Sequence, residues 1–520
     1  MARGIELSTT AEMWELSVKR YPNKPAIIDG DTDRMMSFHG ADRFARRIAR
    51  HMADEFGVTK GDRVAMLLPN CAEYFLAYWA AVISGAVVVP VNTRVRPGLV
   101  KHIVDSTESK ILFVDSTLRN EAAEVIADPG ACRLVTLGFE AEGAATWGAL
   151  VDGGSSDFET AEWADDDLAI IMHTSGTTGR PKGAVMHQDD LVVNIRNAII
   201  GNFLRHEDVH LLVVPMFHAT ALYSLLPASA YLGSTIVPTR AQKPAGMVDV
   251  VERHRCTTFF GVPTLFHFVS TLPDLEKRDM SCLRLIAYAG SMMPPETIRR
   301  LRERLPGVVL HNFFGLTETI SLTHVLPSHM ALLKPDSIGL PLPEVGQAIL
   351  DEEGVEVAAG KVGELCFRVE NVVRGYWKEP ERMAESVRGG YFHTGDLASV
   401  DTEGYTYIKG RSKDMIIVAG ENVYCHEVEL VLLDHPMVLE AAAVGIPATG
   451  IRKALGELIK AVIVLRPDDE GNRPDAKTAE KEVKRHCVQK LSSYQVPHIY
   501  EFREDLPRNA TGKVIKDQLK

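Results

Sequence analysis

A chain of 520 residues exceeds what one hydrophobic core supports, so two or more domains are expected. Its 46% hydrophobic and 24% charged residues are ordinary globular composition, and a formal net charge of −12 argues against a general nucleic-acid binder. Seven scattered cysteines without a Cys-x-x-Cys, an N-terminus carrying Glu6, Glu12 and Glu15, and a longest apolar run (77–91) broken by Ser84, Gly85 and Pro90 lead to the expectation of a cytoplasmic protein with reduced thiols, no secretory signal and no transmembrane segment.

The spacing of Met13, Leu16 and Val18 predicts a helix over 9–21, broken by Pro22 and Pro25 before a strand at 26–28. An amphipathic helix over 41–56, a strand within 61–69, a buried helix over 74–84, a strand at 86–91, a helix at 100–105 and a strand at 110–114 follow. Such alternation implies a largely parallel sheet covered by helices. Residues 138–164, rich in Gly, Ala, Ser and Asp, read as a surface connection.

The apolar strand 168–172 then runs into Thr174-Ser-Gly-Thr-Thr-Gly-Arg-Pro-Lys-Gly183. A strand followed by ten residues crowded with glycines and hydroxyls is what a phosphate cradle requires. Gly176 and Gly179 let backbone N–H groups approach oxygens, Thr174, Ser175, Thr177 and Thr178 add donors, and Arg180 and Lys182 supply charge. It lacks the Gly-Lys-Ser/Thr of a Walker A loop.

A helix over 191–200 and a strand at 211–215 lead into Pro215-Met-Phe-His218. A further helix, 247–254, precedes three strands at 257–260, 283–290 and 308–315, each ending in small or polar residues. Ligands in open parallel sheets sit at the carboxyl ends of strands, so these turns are candidates for one shared site. Beyond about 345 come short β runs at 355–357, 364–368 and 405–408, which suggest a β subdomain. The polar turn Gly410-Arg-Ser-Lys-Asp414 precedes a strand at 415–418, a helix at 427–433, strands at 441–444 and 458–464, a charged helix at 478–491 and a polar tail. A boundary at Lys413 divides the chain into domains 1–412 and 413–520. His206-Glu-Asp-Val-His210 fits the zinc-protease pattern His-Glu-x-x-His, yet it leads directly into a strand, where the two histidines would not share a helix face.

Seven segments in order, Thr174–Gly183, Pro215–His218, Gly315-Leu-Thr-Glu318, His393-Thr-Gly-Asp396, Gly410–Asp414, Gly420-Glu-Asn-Val-Tyr424 and Pro507-Arg-Asn-Ala-Thr-Gly-Lys513, resemble the motifs of the acyl-adenylate-forming superfamily, in its acyl-CoA synthetase branch. The resemblance implies an α/β fold. Parallel-type sheets covered by helices, with a β subdomain, would form a large N-terminal AMP-binding domain, and a small mobile α+β C-terminal domain would carry the catalytic lysine. It implies two half-reactions. A carboxylate and ATP give acyl-adenylate and pyrophosphate, and coenzyme A then attacks the adenylate.

By the same resemblance, Lys513 would bridge the incoming carboxylate and the α-phosphate, Thr317 would donate to that phosphate, and Glu318 with Thr174 would hold Mg²⁺. Phe314 would stack on adenine, beside Gly315, where relatives most often carry Tyr. Gly290 and Ser291 would lie along the adenine edge, and Asp396 and Arg411 would bind the ribose. His218 would gate the ATP and acyl sites, Lys413 would be the hinge, and Gly420 would line the pantetheine tunnel. Cys425 departs from the pattern, since relatives commonly carry proline there. Apolar segments at 217–222, 260–265, 288–291 and 313–319 point to a medium-chain fatty or aromatic acid. Transfer to a carrier-protein thiol, luciferase-like oxidation and acyl-AMP binding without turnover are the competing readings. A homodimer and peripheral membrane contact stay open.

Overall fold

A computed structural model describes residues 7–95, 97–152, 154–174, 181–320, 322–379, 381–418, 421–449, 456–467, 473–508 and 514–520. They pack into two compact units. The first comprises Met1–Pro335, Pro341–Gly346 and Val369–Val387; the second comprises Asp336–Leu340, Gln347–Arg368 and Arg388–Lys520.

The first unit holds two sheets. One runs in the order Ala145–Thr146, Arg133–Leu137, Ile111–Asp115, Arg63–Leu67, Val87–Pro90, Leu168–Thr174, Lys182–His187. It is parallel except for the antiparallel pair at its last edge. In the other sheet Pro25–Ile28, Thr235–Pro238, Val209–Leu212, Thr258–Gly261, Leu285–Tyr288 and Val309–Phe314 are successive parallel neighbours. Strands buried on both faces read as continuous apolar runs, which is why they were legible.

The helix Ala72–Ser84 is buried everywhere except Glu73. It touches Arg63–Leu67 and Val87–Pro90 of one sheet and Pro25–Ile28 of the other. A helix apolar all round must be covered all round. Trp79 on this helix stacks on Trp14 with ring centroids 4.4 Å apart, and the Trp14 indole donates to Asp42 at 2.9 Å.

Two stretches differ from expectation. The connection predicted over 138–164 contains the strand Ala145–Thr146 and the helix Trp147–Val151, capped by the Thr146 hydroxyl. Composition hid its two anchors, Trp147 and Leu150, both buried, with Trp147 edge-on to Phe113 at 6.0 Å. The run 355–357 forms no strand and makes one isolated bridge, Leu350 to Glu356.

In the second unit Gln347–Leu350, Gly363–Arg368, Tyr391–Val400, Thr406–Arg411 and Ser337–Pro341 pair antiparallel in that order. Beyond residue 413 lie a short hairpin, Ile416–Val418 with Glu421–Val423, and a sheet of Val438–Pro447, Glu457–Leu465 and Ile499–Arg503. The third of these strands falls in the stretch expected to be a polar tail. Alternation brings Tyr500 and Phe502 onto the core that Val428, Leu432, Ile459, Ile463 and Val483 fill. Among the described residues no helix is long and apolar enough to cross a membrane.

Candidate active site

In the first unit, four parallel strands end side by side: Val209–Leu212, Thr258–Gly261, Leu285–Tyr288 and Val309–Phe314. His218 leaves the first of these ends, Gly290 and Ser291 leave the third, and Phe314 and Gly315 close the fourth. The convergence expected from the sequence is therefore present. Gly290 has φ +91°, a conformation that L side chains rarely adopt. His218 reaches solvent, but the protein packed around it holds its imidazole below the usual histidine range. The Thr220 N–H donates to its Nδ1 at 3.4 Å, and the chain continues as a π-helical stretch, Thr220–Leu225. Single π turns are frequent at functional sites.

The turn from Val309–Phe314 back to His324–Leu326 carries Thr317 and Glu318. Its backbone is pinned by Thr323 N–H to Phe314 O at 2.9 Å, by Val373 N–H to Glu318 O at 2.8 Å and by Leu316 N–H to the Thr319 hydroxyl at 2.9 Å. Ile320 sits at φ +60°, an outlier for a β-branched side chain. Such strain persists only where surrounding contacts over-determine it, and it collects at functional sites.

The phosphate-cradle motif begins at the end of Leu168–Thr174 and returns in Lys182–His187, with Thr174 and Lys182 as register partners. Ser175, Gly176, Thr177, Thr178 and Gly179 lie outside the described residues. At the hairpin base Gly183 has no room for a side chain: a Cβ would stand 2.7 Å from Ile171 Cγ2 and 3.3 Å from Trp377 Cβ. The segment 373–377 docks there, with Trp377 N–H donating to Gly183 O at 2.7 Å.

That docking brings in a residue the sequence reading did not single out. The Tyr376 hydroxyl donates to Glu318 Oε1 at 3.2 Å, and Lys182 Nζ lies 5.0 Å from the centre of the same ring. Burial, with the Glu318 carboxylate beside it, pushes the Tyr376 phenol well above its ordinary range, so it stays a donor. One phenol thus ties the cation of the cradle to the carboxylate proposed for Mg²⁺. The signal was an aromatic pair after Gly375 in an otherwise polar stretch. Tyr223 was missed too: its hydroxyl is buried without a partner among the described residues, and burial beside Glu318 and Tyr74 raises it strongly.

In the second unit, Asp396 and Arg411 are register partners on adjacent strands, with Nε 2.7 Å from Oδ1. Asp396 is 6% exposed, and its N–H donates to the Thr394 hydroxyl at 3.0 Å. Lys413 falls in the short 3-10 turn Ser412–Asp414. Cys425 is the first residue of the helix Cys425–Leu433, a position that suits proline, and its thiol donates to Asp414 O at 2.9 Å. Gly420 and Lys513 lie outside the described residues. The His206–His210 pair is explained structurally. His210 is on a strand, with its ring nitrogens 2.8 Å from the Thr258 hydroxyl and 2.9 Å from the Ser234 hydroxyl. Burial holds it down at about 4.

The family model of AMP-binding enzymes matches residues 14–377, and that of the AMP-binding enzyme C-terminal domain matches 427–513. The chain belongs to the AMP-binding enzyme family. Among its relatives is a feruloyl-CoA synthase of Amycolatopsis sp., 33% identical over 96% of this chain and 96% of the relative. A long-chain-fatty-acid–CoA ligase of Escherichia coli O157:H7 is 30% identical over 98% of this chain and 93% of its own. Among solved structures, the anthranilate CoA ligase AuaEII in complex with anthranoyl-AMP aligns with TM-score 0.89 at 26% identity, covering 98% of this chain and 96% of that one. This protein is an AMP-forming acyl-CoA synthetase, an acid–thiol ligase whose family uses ATP and CoA. The synthetase has the mixed α/β fold of that family, with a large N-terminal sheet domain and a small C-terminal domain.

Proposed function

We propose that this acyl-CoA synthetase activates a hydrophobic monocarboxylate, medium-chain or aromatic, as its acyl-AMP and passes the acyl group to CoA. The observation that carries the activation step is the Lys182–Tyr376–Glu318 constellation at the base of the phosphate cradle. Attack of a carboxylate on the α-phosphorus gathers negative charge, so cations and donors must be fixed in advance. Lys182 supplies charge where the β- and γ-phosphates would leave. Thr317 donates to the α-phosphate, and Lys513 neutralises the incoming carboxylate. Glu318 and Thr174 offer hard oxygen ligands of the kind Mg²⁺ takes, and the ion would supply further neutralisation of the phosphates.

The substrate class rests on the strand ends. The rings of Phe260 and Phe313 lie 5.9 Å apart, tilted by 60°, and Ala219, Ala221 and Gly261 keep the neighbourhood small and apolar. Asp396 and Arg411 would take the ribose hydroxyls, with Phe314 as the stacking face for adenine. Lys413 would serve as the hinge between domains 1–412 and 413–520, and Gly420 would line the pantetheine tunnel. A mass-resolved thioester screen with free CoA, across chain lengths and aryl acids with and without ring hydroxyls, tests the reading. Acyl-CoA and AMP are expected with one such class. Acyl-AMP accumulating unchanged beside free CoA would reject transfer to CoA.

A further inference from the structure

Glu364 and Cys366 are two residues apart on the strand Gly363–Arg368, so their side chains leave the same face. His393 on the neighbouring strand is the register partner of Cys366. The Cys366 Sγ lies 3.4 Å from His393 Nδ1, and that nitrogen lies 2.7 Å from Glu364 Oε2. One ligand atom from each residue falls within 4.8 Å of both others. His393 opens the His393–Asp396 motif and Glu364 Oε1 accepts from the Gly395 N–H at 2.8 Å, but Glu364 Oε2, the Cys366 thiol and the His393 ring are given no role in the adenylation reading above. We propose that Glu364, Cys366 and His393 form a binding site for one divalent cation of borderline softness, Zn²⁺ in particular, with a fourth position open to water.

The donor set decides the class of ion. A thiolate and an imidazole exclude Mg²⁺ and Ca²⁺, which take oxygen, and one carboxylate completes a mixed trio of the kind zinc accepts. Distance agrees. Zinc–sulfur and zinc–nitrogen bonds of usual length at a tetrahedral angle separate the two donors by about 3.6 Å, against 3.4 Å here. The Glu364–His393 contact is shorter than the roughly 3.3 Å that two ligands of one zinc need. The ion therefore replaces that hydrogen bond and parts the pair by a fraction of an ångström.

Access is from one side. Cys366 is fully buried, while the side chains of His393 and Glu364 are 10% and 23% exposed. Arg388 Nη2, 3.7 Å from Glu364 Oε2, is the competing cation; its side chain is 69% exposed and free to swing away. Burial pushes the Cys366 thiol up to about 12, so it does not ionise alone. Binding breaks the S–H bond, releases the proton to solvent and forms the metal–sulfur bond, with no change of oxidation state.

The test uses the full-length synthetase stripped of metal by a chelator. Zn²⁺ is titrated against a chromophoric chelator, and Co²⁺ serves as an optical probe. Wild type is expected to bind one equivalent of Zn²⁺ and to show a thiolate-to-cobalt charge-transfer band. Cys366→Ser is expected to lose that band and roughly tenfold or more of the affinity, while keeping the metal-free thermal midpoint and thioester activity. His393→Gln, which leaves the thiol in place, is expected to lose affinity likewise. Equal affinity and an undiminished band in Cys366→Ser, or no Zn²⁺ bound by wild type, overturns the proposal.

Discussion

Tyr376 illustrates what a single residue contributes when three chain segments meet. Its hydroxyl holds one oxygen of Glu318 while its ring faces the Lys182 ammonium. Removing the hydroxyl in Tyr376→Phe keeps the ring and the cation contact but leaves Glu318 without that donor. A hydrogen bond to a charged group contributes about 1.5–3 kcal/mol. ATP–pyrophosphate exchange is therefore expected to fall by roughly tenfold or more in kcat/KM for ATP. Unchanged exchange would show that Glu318 needs no positioning. Lys513→Ala tests a role read from sequence context alone. Adenylation is expected to drop by a factor on the order of 10²–10³, with thioester formation from supplied acyl-AMP largely spared. Equal loss of both half-reactions would contradict the assignment. Glu318 was singled out because Gly315-Leu-Thr-Glu318 is a contiguous motif, whereas Tyr376, its hydrogen-bond partner, lies 58 residues away from it and meets it only once the chain folds.

At the scale of elements, periodicity located most strands and helices, because strands covered on both faces are apolar runs and amphipathic helices repeat every three to four residues. What it could not supply is pairing. The strand Ile499–Arg503 carries Glu501 between its apolar residues and ends on Arg503, which lowers its signal, yet it pairs parallel to Glu457–Leu465. The hairpin of Leu168–Thr174 and Lys182–His187 shows how closely elements must approach for the cradle to be anchored. Gly183→Ala places a methyl against Ile171 and the Trp377 side chain. Overpacking of this kind costs about 1–3 kcal/mol. A lowered thermal midpoint is expected, together with a loss of exchange activity as segment 373–377 loses its seat. A midpoint equal to wild type would show that the hairpin relaxes freely.

At the scale of the molecule, the residues beyond 413 build cores of their own. One is centred on Ile459, Ile463 and Val483, and another on Val444, Val462, Leu506 and Leu519. We expect a fragment of residues 413–520 to fold alone, giving a cooperative thermal transition by circular dichroism. A fragment that stays unfolded would move the boundary upstream, toward residue 388. Composition could mark the change of texture but not this choice. The β runs before 413 and the strands after it share the same short alternating pattern, and only packing separates them.

The chain passes between its two units five times, at 335–336, 340–341, 346–347, 368–369 and 387–388. This layout has a genetic consequence. No single deletion in the coding sequence removes one unit and spares the other, so the two are inherited together. The stretch beyond 413 is continuous in sequence. It can be exchanged between related genes as one cassette without disturbing the segments that carry Glu318 and Tyr376.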